Sequence, residues 1–179
     1  MAKQSGGTRN YSKTPNTIAK RQSEFHSLIS TGDYKDGSLF PSGGFYVVHK
    51  DHRDTTTPEE NKEILAAKTL AKKGYRIRLM SEKSSVAWLS TPDGYKENMV
   101  MDIKTINSAG KYRIERSLKK AASQGAEVAV LVQNTAAVTR EYVQDQISMY
   151  LSHAKGEERG KLSEVMIVGL SGNVHRHKL

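Results

Sequence analysis

The run Val128-Ala129-Val130-Leu131-Val132 is apolar without a break. A strand with one wet face alternates polar and apolar residues, so an unbroken run belongs to a central strand covered on both faces. Val165-Met166-Ile167-Val168 repeats the pattern near the end of the chain. Two such strands need helices packed against their sheet, and the flanking segments supply them. The stretch from about Tyr112 to Gln124 puts Ile114, Leu118, Ala121 and Ala122 on one side, and Gly125 ends it. Thr139 can cap a second helix, to about His153, which buries Val143, Ile147, Tyr150 and Leu151. Thr57-Pro58-Glu59-Glu60 has the form of a helix start, with threonine at N-cap, proline at N1 and Glu60 closing a capping box. That helix is expected to run to about Lys73 and stop at Gly74.

Further strands are expected at Phe45 to His49, Tyr75 to Met80, Met99 to Ile106 and Val174 to Lys178, with an extended segment from Ser85 to Ser90. Glu24 to Ile29 reads as a short helix, and Thr31 to Gly44 as a turn-rich connection. The whole predicts an α+β fold: a single mixed β-sheet packed with helices. Residues 1–22 hold Lys3, Arg9, Lys13, Lys20 and Arg21 with no acid and almost no aliphatic side chain. They are expected to form a basic flexible arm before a domain spanning 23–179.

The 179 residues carry 28 Lys and Arg against 19 Asp and Glu, a formal charge of +9. An excess of that size points to a polyanionic partner, most often nucleic acid. There is no cysteine, which removes disulfides, cysteine zinc sites and cysteine nucleophiles together. No apolar run approaches the length of a membrane span, and no apolar segment follows the basic N-terminal residues as in a secretory signal. A passenger domain of a larger exported protein reads the same way. Walker, GxGxxG, HExxH and GxSxG patterns are all lacking.

Chemistry concentrates around Thr91-Pro92-Asp93-Gly94, read as a turn, and Met101-Asp102-Ile103-Lys104-Thr105. Alternation puts Asp102 and Lys104 on one strand face and Met101, Ile103 and Thr105 on the other. Thr105 is therefore a candidate only if a bulge re-aims it. An isolated D-x-K on a strand is more often a salt-bridged solvent face than a catalytic pair. Here it is flanked by Arg76 and Arg78, which share a face of their own strand, and by Arg113, Arg116, Lys119 and Lys120 on the basic helix. These suit phosphate oxygens. His52 in a charged loop, and His175 and His177 on one strand face, are candidates for proton transfer.

The order Lys73-Gly74-Tyr75-Arg76-Ile77-Arg78-Leu79, Thr91-Pro92-Asp93-Gly94, Met101-Asp102-Ile103-Lys104-Thr105, then Gln124-Gly125-Ala126 and a hydrophobic strand, resembles the toxin nuclease domains at the C-termini of CdiA proteins. It is also similar to nuclease-like domains of phages and mobile elements, grouped under the barnase/EndoU/colicin/RelE fold. That resemblance implies a nuclease-like domain cleaving RNA, often tRNA, by transesterification with no metal or other cofactor. It further implies an immunity or antitoxin partner, no membrane partner, and action in the cytoplasm after delivery within a larger exported or phage protein. Pro92-Asp93…Asp102-x-Lys104 also resembles the PD-(D/E)XK nuclease motif. That second resemblance implies a DNA nuclease in which Asp93 and Asp102 hold Mg²⁺ and Glu60 or Glu63 is the upstream helical acid. A third expectation, from charge alone, is a non-catalytic nucleic-acid-binding protein of a mobile element.

Overall fold

A computed structural model describes residues 14–52, 61–81, 91–156 and 160–179. The two apolar runs are β6 (Val128–Gln133) and β7 (Glu164–Val168), parallel neighbours inside an eight-stranded mixed sheet. Its remaining strands are β1 (Tyr34–Leu39), β2 (Phe45–His49), β3 (Arg76–Leu79), β4 (Gly94–Lys96), β5 (Met99–Ile106) and β8 (Val174–Lys178). The spatial order follows the chain from β1 to β8. Parallel pairs β2/β3, β5/β6 and β6/β7 are bridged by helices α2 (Lys62–Lys72), α3 (Arg113–Ser123) and α4 (Arg140–His153), and the other neighbours pair antiparallel. The α+β class and the single mixed sheet are as the sequence predicts.

Pairing register sorts side chains between two cores. Met101, Ile103, Val128, Val130 and Val132 face α2, where Ala66, Ala67, Leu70 and Ala71 give a small-residue surface for close approach. Ala129, Leu131, Val165 and Ile167 face α3 and α4, against Ile114, Leu118, Val143 and Ile147. Alternate residues of β6 thus enter opposite cores, which is why its run is unbroken.

Four local expectations are revised. The basic segment is helical from Pro15, because α1 (Pro15–Ser30) has Thr14 as its N-cap and Pro15 in its first turn. Phe25 of that helix packs on Phe45 of β2 with ring centroids 5.7 Å apart. The turn-rich stretch contains β1, in which Gly37 is required by space: a Cβ there would lie 2.8 Å from the Tyr46 carbonyl oxygen. The described part of α2 opens at Asn61, whose side chain accepts from the Glu63 and Ile64 N–H groups. The Thr57 start and the Ser85–Ser90 segment lie outside the described residues.

The fourth revision bears on the site. Pro92-Asp93-Gly94 is not a turn but leads straight into β4, and the hairpin turn lies at Glu97 (φ 56°). Gly94 is there for close approach, since an added Cβ would sit 2.0 Å from the Arg78 carbonyl oxygen. A larger residue would push β4 off β3.

Candidate active site

Strand β5 presents Asp102 and Lys104 on the face that α3 and α4 cover farther along the sheet, as their register partners Ala129 and Leu131 show. Asp102 is fully buried, and the Lys104 ammonium lies 2.7 Å from one of its carboxylate oxygens and 2.6 Å from the other. A buried carboxylate would be untenable without such a partner. Lys104 keeps about a fifth of its side chain exposed (21%), so the ammonium stands between Asp102 and solvent.

Asp93, just before β4, completes a second contact with the same strand. Its carboxylate accepts the Ile103 N–H at 2.5 Å, while its own carbonyl accepts the Met80 N–H at 3.0 Å. The Asp93 carboxyl is pushed up to about 7, first by burial and then by the negative charges of Asp102 and Glu63. The Ile103 N–H and Lys104 oppose this without cancelling it. Glu63 comes from the first turn of α2, where Asn61 caps its N–H. Asp93 thus feels two further carboxylates: Asp102, which is paired with Lys104, and Glu63, which is paired with His52.

His52 is buried behind Glu63. Its Nε2 is 3.1 Å from a Glu63 oxygen, and Nδ1 is 3.0 Å from the Met80 carbonyl oxygen. It is thus aimed at Glu63 and at backbone rather than at Lys104. His175 and His177 lie much farther off. The row Lys104–Leu131–Ile167–His175 and the row Asp102–Ala129–Val165–His177 each cross three strand spacings, about 14 Å. Buried side chains under α3 and α4 fill the space between. Thr105 pairs with Val132 in an unshifted register, on the face opposite Lys104.

The two strand arginines share a face but differ in their bonding. Arg76 bonds Glu24 of α1 at 2.8 Å and Glu97 at 2.6 Å, so it clamps the helix to the β4–β5 hairpin. Arg21 adds bonds to the Gly74 carbonyl at 2.5 Å and to Glu97 at 3.5 Å. Arg78 has no carboxylate partner among the described residues, and its guanidinium lies over the Tyr95 ring, 5.0 Å from the centroid. Register puts Arg78, Tyr95 and Val100 in one row on the face that bears Asp102 and Lys104. Helix α3 packs on β5 and β6 on this side, with Arg113, Arg116 and Lys120 exposed. Lys119 is tied to Glu115 at 2.8 Å.

The donors suit a hard cation: carboxylate oxygens, and a carboxyl held uncomfortably protonated near neutrality. As placed, no three His, Asp or Glu side chains among the described residues are close enough to hold a metal ion. Lys104 spans both Asp102 oxygens, and Asp93 is turned to the Ile103 N–H. Glu60, the other upstream acid weighed from sequence, lies outside the described residues.

No described helix is long and apolar enough to cross a membrane. No family model matches the sequence, and no curated protein matches it. Among solved structures the fold is similar to that of a chain of the CdiA-CT/CdiI toxin and immunity complex from Burkholderia pseudomallei, with 20% identity and a TM-score of 0.50. The match covers 71% of this chain and 90% of that one, and at that identity it is a likeness of fold.

Proposed function

We propose that this chain is a divalent-metal-dependent nuclease of PD-(D/E)XK type, with Glu63, Asp93, Asp102 and Lys104 as its centre. The observation that carries the reading is the buried Asp102 paired with a partly exposed Lys104 on β5, next to an Asp93 carboxyl that accepts the Ile103 N–H of the same strand and is pushed up to about 7 by burial and by its neighbours. Perturbed carboxyls of this kind concentrate at functional sites, which supports the reading.

Asp93, Asp102 and Glu63 would hold the metal, which supplies positive charge for the scissile phosphate and lowers the pKa of bound water. Everything else falls to the protein's own groups. Lys104 would orient the attacking water and donate to a phosphate oxygen. The Met80 N–H, bonded to the Asp93 carbonyl, and the β4/β5 backbone pairing fix Asp93 beside β5. Arg78 and the exposed cations of α3 take neighbouring phosphates.

Transesterification through the RNA 2′-hydroxyl receives less support. His175 and His177 stand three strands away, and His52 turns to Glu63. A delivered toxin role, with an immunity protein as partner, draws its support from the fold likeness to a chain of a toxin and immunity complex.

The test is cleavage of tRNA and of plasmid DNA by purified protein with Mg²⁺ or Mn²⁺, with EDTA, and by Lys104→Ala. Metal-dependent hydrolysis predicts activity abolished by EDTA, a drop of at least about a hundredfold in the variant, and products lacking a 2′,3′-cyclic phosphate. Cleavage that survives EDTA and leaves cyclic phosphate ends would restore the transesterification mechanism. Binding without cleavage under every condition would leave a nucleic-acid-binding protein.

A further inference from the structure

The row Arg78–Tyr95–Val100 has no part in holding a metal, yet it adjoins the cluster. Val100 is two residues before Asp102 on β5, so Tyr95 stands about 7 Å along the sheet from the Asp102 row. Helix α1 packs on β1 and β2, and α3 on β5 and β6, so these helices flank β3 and β4 on this face. Tyr95 and Arg78 are each partly exposed there. The tyrosine ring carries a guanidinium over one face at 5.0 Å, and that guanidinium has no carboxylate to hold it among the described residues. Arg76, two residues away on the same strand face, shows the contrast: its guanidinium is used up by Glu24 and Glu97.

A flat aromatic–guanidinium pair beside a phosphodiester-cleaving centre has a definite chemical preference. It offers a π surface and a planar cation, which fit the face of a nucleobase. Within a duplex every base face is already stacked on its neighbours. Only an unpaired or splayed-out nucleotide can present one.

We infer that Tyr95 and Arg78 form a stacking subsite for an unpaired base next to the cleaved phosphate, which makes the substrate a single strand or an unpaired loop. The inference rests on the nuclease reading of Asp93, Asp102 and Lys104, and it adds the substrate class. The tyrosine sets the plane on which the base rests. Arg78 stiffens the ring from the other side and adds charge that the flanking phosphate also feels.

Fluorescence anisotropy tests it, with a short labelled single strand and the matching duplex, in Ca²⁺ to slow cleavage. Wild-type protein should prefer the single strand. Tyr95→Leu, which keeps apolar bulk and loses the aromatic face, should weaken single-strand binding roughly ten- to hundredfold, the range that base stacking spans. It should leave duplex binding within about twofold, and Tyr95→Phe should restore the preference. An oligonucleotide lacking one base at the stacked position should bind wild-type protein as weakly as the intact strand binds Tyr95→Leu. Equal binding by wild type and Tyr95→Leu, an equal loss on duplex, or no rescue by phenylalanine would each overturn the subsite. If the stacking results hold but no metal supports cleavage, the nuclease reading falls and the binding subsite stands. If wild-type protein binds neither nucleic acid, both fall.

Discussion

Replacing Asp93 by asparagine isolates the charge that defines the cluster. Asparagine keeps an oxygen to accept the Ile103 N–H and has nearly the same volume, so the change removes only ionisation. The carboxyl moves from its ordinary 3.8 to about 7 in the folded protein, through burial and the charges of Asp102 and Glu63. A folded pKa above the unfolded one means that the native state binds the proton more tightly. The associated stability is fully present below about pH 4 and is lost as pH rises through about 7. Three pKa units at about 1.4 kcal/mol each put the loss at up to about 4 kcal/mol. Side-chain relaxation toward solvent would lower it, so about 2 to 4 kcal/mol is expected at pH 8. Asp93→Asn should therefore be more stable than wild type by that amount near pH 8 in EDTA, and by less than about 1 kcal/mol near pH 4.5. Urea unfolding followed by circular dichroism at several pH values measures the gap. Millimolar Mg²⁺ at pH 8 should narrow it by stabilising wild type alone. A variant that is less stable at pH 8, or a gap that does not change with pH, would refute the crowded-carboxylate argument.

Gly94→Ala should cost about 3 kcal/mol or more, since its Cβ meets the Arg78 carbonyl at 2.0 Å; a thermal melt unchanged from wild type would show that β3 and β4 separate easily. His175→Ala and His177→Ala should keep cleavage within about twofold, because both lie three strands from Lys104; a hundredfold loss in a kinetic assay would move the centre. His177 itself should titrate below the usual 6.5 by NMR, held down by burial and then by His175 and Arg140, and an upward shift would contradict its surroundings. Glu164→Gln should destabilise by about 3 kcal/mol in chemical denaturation, because Glu164 sits 2.8 Å from the fully buried Lys96 ammonium and is also bonded by Arg176.

Much of the scaffold was readable because it rests on short-range patterns. The unbroken runs of β6 and β7, the Thr139 cap of α4 and the glycine after α3 are each local signals. The Thr14-Pro15 start of α1 was also a local signal, outweighed by the basic, aliphatic-poor composition around it. Gly37 and Gly94 misled for a different reason. Both read as turn residues, whereas each is needed to let another strand's backbone approach, a requirement set by residues far along the chain.

The same divide runs through the site. The shared face of Asp102 and Lys104 was legible from period-two alternation alone. The arginines were not, since Arg76 is consumed by Glu24, fifty-two residues earlier, and nothing in the sequence announces that bond. The alternation of His175 and His177 correctly gave a shared orientation but carried no information on strand order, which puts them at the far edge. Tyr95 had only a faint signal, an aromatic two residues after Asp93. Glu63 could be weighed as an upstream acid, but its choice depended on how α2 meets the β4–β5 hairpin.

The central claim is that Glu63, Asp93, Asp102 and Lys104 make one metal-using centre. A crystal of the protein soaked in Mn²⁺ and measured at the manganese absorption edge tests it directly. The account predicts an anomalous peak shared by the Asp93 and Asp102 carboxylates, with Lys104 displaced from Asp102, and no peak there in Asp93→Asn. Protein that cleaves nucleic acid in Mn²⁺ yet shows its ion elsewhere, or none at all, would contradict it.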